Sequence, residues 1–187
     1  NEDNKCAIHT SFSSNDAWPY DWSEFCGLTP ITQDNIQAAV NLWYSDESAA
    51  ESTYGHINVW DVSSVTDMSN LFKNKTASFT GDISNWNVSN VTNMSGMFWE
   101  ALGMVGSERF LNWNVSSVTD MSDMFKRHRF NNFNLSNWNV SNVTTMKGMF
   151  SQSYWSGQNP NVTGWDVSNV TDMAGMFSRM VSFNQDI

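Results

Sequence analysis

The sequence predicts a repeat solenoid of mixed α/β character, with short parallel strands on one face of each coil and short helical turns on the other. Three observations carry this. One phrase, clearest as Trp86-Asn87-Val88-Ser89-Asn90-Val91-Thr92-Asn93-Met94-Ser95-Gly96-Met97-Phe98, occurs five times, starting at Trp60, Trp86, Trp113, Trp138 and Trp165 and ending at Phe72, Phe98, Phe125, Phe150 and Phe177. The tryptophans fall 26, 27, 25 and 27 residues apart, a period at which each repeat is one supersecondary unit that buries its apolar face only against its neighbours. Within the phrase the apolar spacing changes. Trp86 and Val88 alternate, as a short strand requires. Val91, Met94 and Met97 recur at intervals of three, which suits a turn followed by one helical or 3₁₀ turn.

The elements follow in order. Residues 1–31 are irregular but aromatic, with Phe12, Trp18, Tyr20, Trp22 and Phe25 in one short stretch. Such a segment is expected over the open, apolar end of a repeat stack. Thr32 is the expected N-cap of a helix whose apolar face is Ile36, Ala39, Val40 and Trp43, with Asn35, Gln37 and Asn41 off that face. A second short helix is expected over Glu47 to Thr53, ended by Gly55. Residues 1–56 therefore form an N-terminal aromatic segment and helical cap, and residues 57–187 form five coils that stop at the start of a sixth. Each coil opens on an apolar-x-x-Trp-x-Val phrase, as in Ile57-x-x-Trp60-x-Val62 and Ile83-x-x-Trp86-x-Val88. This is the L-x-x-L-x-L phrase of leucine-rich repeats with Trp in the middle slot, so the expected fold class is a repeat solenoid of leucine-rich-repeat type. Each Met and aromatic stripe is read as core rather than as a cofactor box, and no cofactor is expected.

Composition narrows the function. The chain has 187 residues, 40% of them hydrophobic and only 15% charged, with a net charge of −10. That charge disfavours a nucleic-acid partner, which needs a basic stripe to release counterions. No apolar run approaches the roughly 18–20 residues of a membrane-spanning helix. The chain starts at Asn1 with Asn-Glu-Asp-Asn-Lys and no apolar h-region, which is read as a mature end left by signal-peptide removal. The two cysteines, Cys6 and Cys26, both precede the repeats. A disulfide between them is expected to staple the cap, worth about 3 kcal/mol for a loop of this size.

Candidate sites lie on the outward positions of the repeat. Asp61, Asn87, Asn114, Asn139 and Asp166 stack into one column, with Ser63, Ser89, Ser116, Ser141 and Ser168 beside it. On a concave sheet with strands about 4.8 Å apart, this column is either a polar surface for glycans or protein, or a ladder of side-chain hydrogen bonds from coil to coil. A further column of Asp67, Asn93, Asp120, Thr145 and Asp172 has too many interruptions for a calcium site and is read as a solvated turn column. No metal site is expected. Of ten N-x-Ser/Thr sequons, Asn74 lies outside the repeat phrase and is the first glycan candidate, followed by Asn161 and Asn134. Trp99, Tyr154 and Trp155 fall in the connections and are candidates for partner contact. Lys126, Arg127, His128 and Arg129 form the one basic cluster and read as a solvated loop. No nucleophile–base spacing, H-E-x-x-H, phosphate loop or dinucleotide fingerprint is present, so no catalytic residue is named and the chain is read as not an enzyme.

The phrase Trp-(Asn/Asp)-Val-Ser-x-Val-Thr-x-Met-Ser-x-Met-Phe resembles the repeat of BspA-like leucine-rich-repeat surface proteins, found in mycoplasma lipoproteins, other bacteria, and algal and protist surface proteins. The stretch Ile36–Trp60, with Ala38-Ala39-Val40-x-Leu42-Trp43 and Tyr54-Gly55-His56-Ile57, resembles the segment before the array in algal members. The resemblance spans about Thr32 to Ile187. It implies a repeat protein on a cell surface or outside the cell, and it implies no catalytic residues.

The last residues, Phe183-Asn184-Gln185-Asp186-Ile187, match Phe79-Thr80-Gly81-Asp82-Ile83. The chain thus stops as a sixth coil begins, without a polar cap. Either it is a fragment of a longer array, or the bare face is covered by another copy whose aromatic N-terminal segment docks there. Head-to-tail contact of that kind propagates into a filament. The expected function is that of a non-enzymatic extracellular structural or adhesive protein acting through protein–protein contacts and assembling head to tail into surface fibres. The alternative is a recognition module binding a glycan or protein ligand on its concave face and loops.

Overall fold

A computed structural model describes residues 27–104, 110–130, 134–155 and 160–180. Two helices open it. Helix α1 spans Ile36–Ser45 and buries Ile36, Ala39, Val40 and Trp43, the four residues at helical spacing. It starts later than a Thr32 cap would place it. The Asn35 side chain accepts from the Thr32 amide and donates to the Pro30 carbonyl, so the residues from Thr32 to Asn35 form a turn ahead of the helix. Helix α2 spans Glu47–Tyr54, capped by Asp46, whose carboxylate accepts from the Ala49 amide, and ended at Gly55 with φ +76°. Ile57–Val59 is a 3₁₀ turn.

The expected α/β fold class of leucine-rich-repeat type does not hold. None of the Trp-x-Val segments is a strand, and no helix follows the Met-Phe pairs among the described residues. The only strands among them are the two-residue β1, Arg129–Phe130, and β2, Tyr154–Trp155, which pair in parallel in the connections rather than at the tryptophans. Elsewhere, parallel pairing is reduced to single bridges such as Asp67↔Asn93 and Asn93↔Asp120. Nor do the described residues hold a disulfide; the expected Cys6–Cys26 pair lies outside them.

What replaces the strands is a succession of turns. In the second coil, Trp86 N–H donates to Ile83 O, Val91 to Val88, Met97 to Met94, Trp99 to Gly96 and Ala101 to Phe98. The amides between these turn bonds point along the stack. Met68, Asn70, Phe72 and Asn74 donate to the carbonyls of Asn93, Ser95, Met97 and Trp99 in the next coil. Met94, Gly96, Phe98 and Glu100 donate in turn to Asp120, Ser122, Met124 and Lys126, and the same four-bond set recurs from Met121 and from Met146. Alternate amides thus bond within the coil and to its neighbour, which satisfies the buried main chain without strand conformation.

The turns need left-handed backbone. Asn70, Gly96, Asp123, Gly148 and Gly175 all have φ between +52° and +66°, and so do Asn74, Glu100, Arg127, Gln152 and Arg179, between +55° and +62°. The first set uses the residue types that tolerate this region, Gly, Asn and Asp.

The core runs continuously through these layers. Trp60, Trp86, Trp113, Trp138 and Trp165 are all buried. Trp60 and Trp86 stack with centroids 6.1 Å apart, and Trp86 and Trp113 at 6.5 Å with planes 1° from parallel. Four of the indole N–H groups donate to a carbonyl one coil earlier, Trp86 to Ile57, Trp113 to Ile83, Trp138 to Phe110 and Trp165 to Leu135, at 2.9–3.3 Å, and that of Trp60 donates to Gly55 O at 2.8 Å. A second aromatic column, Phe72, Phe98, Phe125, Phe150 and Phe177, stacks at 5.5–5.7 Å with planes within 9° of parallel. Burying a phenylalanine ring is worth roughly 1.5–3 kcal/mol, and offset stacking adds to it.

Candidate functional site

The outward Asx column is where the sequence places it. Asp61, Asn87, Asn114, Asn139 and Asp166 are all exposed, in five successive coils. Their role is local rather than coil-to-coil. Each side-chain oxygen accepts from the amide two residues on, at Ser63, Ser89, Ser116, Ser141 and Ser168, at 3.0–3.2 Å. In Asn87 and Asn114 the serine hydroxyl donates to the same oxygen. These are Asx turns, and they turn the chain where a strand was expected. At Asp166 the hydroxyl and amide of Ser168 hold the carboxyl below its ordinary range.

Bonds between coils come from neighbouring positions. Asn90 donates its amide to Ser63 O, Asn142 to Ser116 O and Asn169 to Ser141 O. A threonine column repeats a second contact: the amides and hydroxyls of Thr92, Thr119, Thr144 and Thr171 donate to the carbonyl of the preceding threonine, beginning at Thr66. The column Asp67, Asn93, Asp120, Thr145 and Asp172 follows as the line of bridges, half-buried rather than freely solvated.

Asn134 and Asn161 are neighbours, bridged in parallel across adjacent coils, and each accepts from the amide two residues on. Asn74 is exposed and far from them in sequence. It does not sit in a variable connection as its surroundings suggest, but at the second left-handed position of the repeating turn, with its amide bonded to Trp99 O. Sequence reasoning missed this column because Asn74, Glu100, Arg127, Gln152 and Arg179 share no side-chain chemistry. The one signal is their constant distance of two residues past the phrase's final Phe.

Trp99 is half-buried between two ammonium groups from adjacent coils, Lys73 at 3.9 Å and Lys126 at 4.3 Å from the ring centroid. Such contacts are each worth roughly 0.5–1 kcal/mol at exposed sites. Tyr154 and Trp155 form β2, paired with Arg129 and Phe130. The basic cluster is not a solvated loop. Lys126 bridges Asp123 at 3.0 Å, Arg127 lies 3.5 Å from Glu100, and His128 is fully buried. The His128 ring stands edge-on to Phe98 and Phe125, with Nδ1 2.7 Å from Arg129 O. Burial pushes its pKa down to about 4 against the bonding to Arg129.

One group of metal-ligating side chains sits where the cap meets the first coil. Atoms of Glu47, Glu51 and His56 lie within 4.8 Å of one another. His56 Nδ1 accepts from the Asn58 amide, so the neutral ring carries its proton on Nε2, which faces Glu51 at 3.6 Å. Glu47 accepts from the Thr80 hydroxyl at 3.1 Å. The trio links the end of the cap to the first two coils as an interlocked pair and brace.

Among the described residues no helix is long and apolar enough to cross a membrane. No curated protein and no solved structure matches the chain. One family model matches twice, over residues 45–108 and 103–187, which together take in the last helix of the cap and every coil. The chain belongs to the family described as Mycoplasma protein of unknown function, DUF285.

Proposed function

We propose that the protein is a non-enzymatic structural and adhesive protein of the cell surface, acting through protein–protein contacts and stacking head to tail into fibres. The observation that carries the reading is the repeated outer surface. Five successive coils present the same small polar groups outward, at Asp61, Asn87, Asn114, Asn139 and Asp166, while their aromatic residues are spent on the core. A surface of that kind offers many equivalent weak contacts, which suits multivalent attachment better than one deep pocket. The likeness of the repeat phrase to BspA-like surface proteins supports the extracellular placement.

Negative-stain microscopy of the purified chain tests this. Fibres that vanish when residues 1–30 are removed are the expected result; uniform monomers at high concentration contradict it. The same exposed column favours a second reading, recognition of a glycan or protein ligand. Loss of binding in Asn87→Ala with an unchanged melt would select that reading.

A further inference from the structure

Among the described residues, the helices of the cap rather than a coil precede the first coil, yet its edge is not left open. In the interior, three donors of each coil converge on one carbonyl of the coil before. Thr92 N, Asn93 N and Thr92 Oγ1 all meet Thr66 O, at 2.8, 3.4 and 3.2 Å. At the first coil the corresponding donors, Thr66 N, Asp67 N and Thr66 Oγ1, meet Gln33 Oε1 at 3.0, 2.9 and 3.5 Å. The imitation extends to the donors. Where Met68 N donates to Asn93 O, Gln33 Nε2 donates to Asp67 O at 2.9 Å. Where Phe72 N donates to Met97 O, Gln37 Nε2 donates to Leu71 O at 3.2 Å. One primary amide carries both a carbonyl and an N–H, so Gln33 alone replaces the threonine carbonyl and the methionine amide of a missing coil. Lys75 Nζ to Asn41 Oδ1, at 2.8 Å, fastens the next turn of α1 to the same coil.

We propose that α1 and the turn ahead of it are the terminating layer of the stack: Gln33 in the turn and Gln37 in the helix occupy, by imitation of main chain, the edge on which a coil of a second copy would otherwise seat. The groups they imitate are those each coil presents to the next, in the fifth coil the Thr171 carbonyl and the amides of Met173 and Phe177 by repeat position. An open edge of this kind is a template for pairing with another chain, and the apolar face of α1, with Ala39 and Val40 fully buried, covers the core behind it. The inference goes beyond the proposed function. It assigns which surface an end-to-end contact cannot use while α1 is seated, and it holds whether or not the wild type forms fibres.

Two variants of the full chain test it. Gln33→Ala/Gln37→Ala removes the imitating amides, and Val40→Asp lifts the buried face of α1. Amide hydrogen exchange at Thr66 and Asp67 is expected to speed at least tenfold in both. Sedimentation velocity over a concentration series is expected to show association at least tenfold tighter than wild type for Val40→Asp, and several-fold tighter for the double variant. Unchanged exchange would overturn the imitation. Opened amides with wild-type sedimentation would overturn the terminating role. If Val40→Asp loses the near-ultraviolet tryptophan signal of the array, the double variant decides by the same two readouts. Absence of wild-type fibres would end the head-to-tail reading and leave this inference standing.

Discussion

Single residues set the geometry of each layer. The left-handed position carries Asn70, Gly96, Asp123, Gly148 and Gly175 in successive coils. A Cβ at Gly148 would press on Asp123 Oδ1, whereas one at Gly175 would meet only Ser178 Cβ at 3.8 Å. Both glycines have positive φ, so either alanine carries about 1–2 kcal/mol of backbone strain. Gly148→Ala is expected to lose more stability than Gly175→Ala in urea unfolding, the excess reporting the contact with Asp123; equal losses would show that Asp123 gives way freely. His128 makes a second prediction. Its folded pKa of about 4 lies below the ordinary 6.5, so the unfolded chain binds the extra proton between those values. Stability is then full above pH 6.5 and falls as the pH drops toward 4, by about 3 kcal/mol. Urea midpoints from pH 7 to pH 4 check this. His128→Ala should flatten that window, while carboxylates such as Asp166, whose pKa is lowered, act only further into acid.

At the scale of the element, the question is why turns formed where strands were expected. Trp-x-Val offers two apolar residues in alternation, shorter than the usual strand of five or six. The residue between Trp and Val is the Asx of an overlapping Asx-x-Ser, as in Asn87-Val88-Ser89, and its side chain competes for the backbone in the way that makes Asn and Asp turn formers. That chemistry is in the sequence at Asn87 and Asn114, where the same residues also fit an outward ladder. The burial of Val91, Met94, Met97 and Phe98 was legible, but the helical or 3₁₀ turn expected over them is absent, because burial needs only the right side chains facing inward and successive turns supply these as well. The cap helices were legible for the same reason: Ile36, Ala39, Val40 and Trp43 bury as spaced. Gln37 and Asn41 were placed off that face, and nothing local shows that a polar flank will bond the main chain of a distant coil. Asn114→Ala removes an Asx turn with two bonds to one oxygen. It is expected to lower stability by about 1 kcal/mol, the typical worth of such a side-chain cap, read as a drop in melting temperature; an unchanged melt would mean the turn forms without it.

Among the described residues the coils form a stack in which each layer satisfies its neighbour, through four amide bonds from the turn after the threonine, the threonine amide and hydroxyl, one indole N–H and two aromatic columns. Stability in such an array is a sum of layer and interface terms, and that is why an unfilled first edge needs a substitute such as Gln33. The measurement that bears most directly on this arrangement is the detection of scalar couplings across hydrogen bonds by NMR, which pairs each amide with its acceptor carbonyl. The expected pairs in the second coil are Met94 with Asp120, Gly96 with Ser122, Phe98 with Met124 and Glu100 with Lys126. Couplings linking the Trp86–Val88 segment to Trp113–Val115 as a continuous parallel ladder, or pairs four residues apart within a coil, would contradict it.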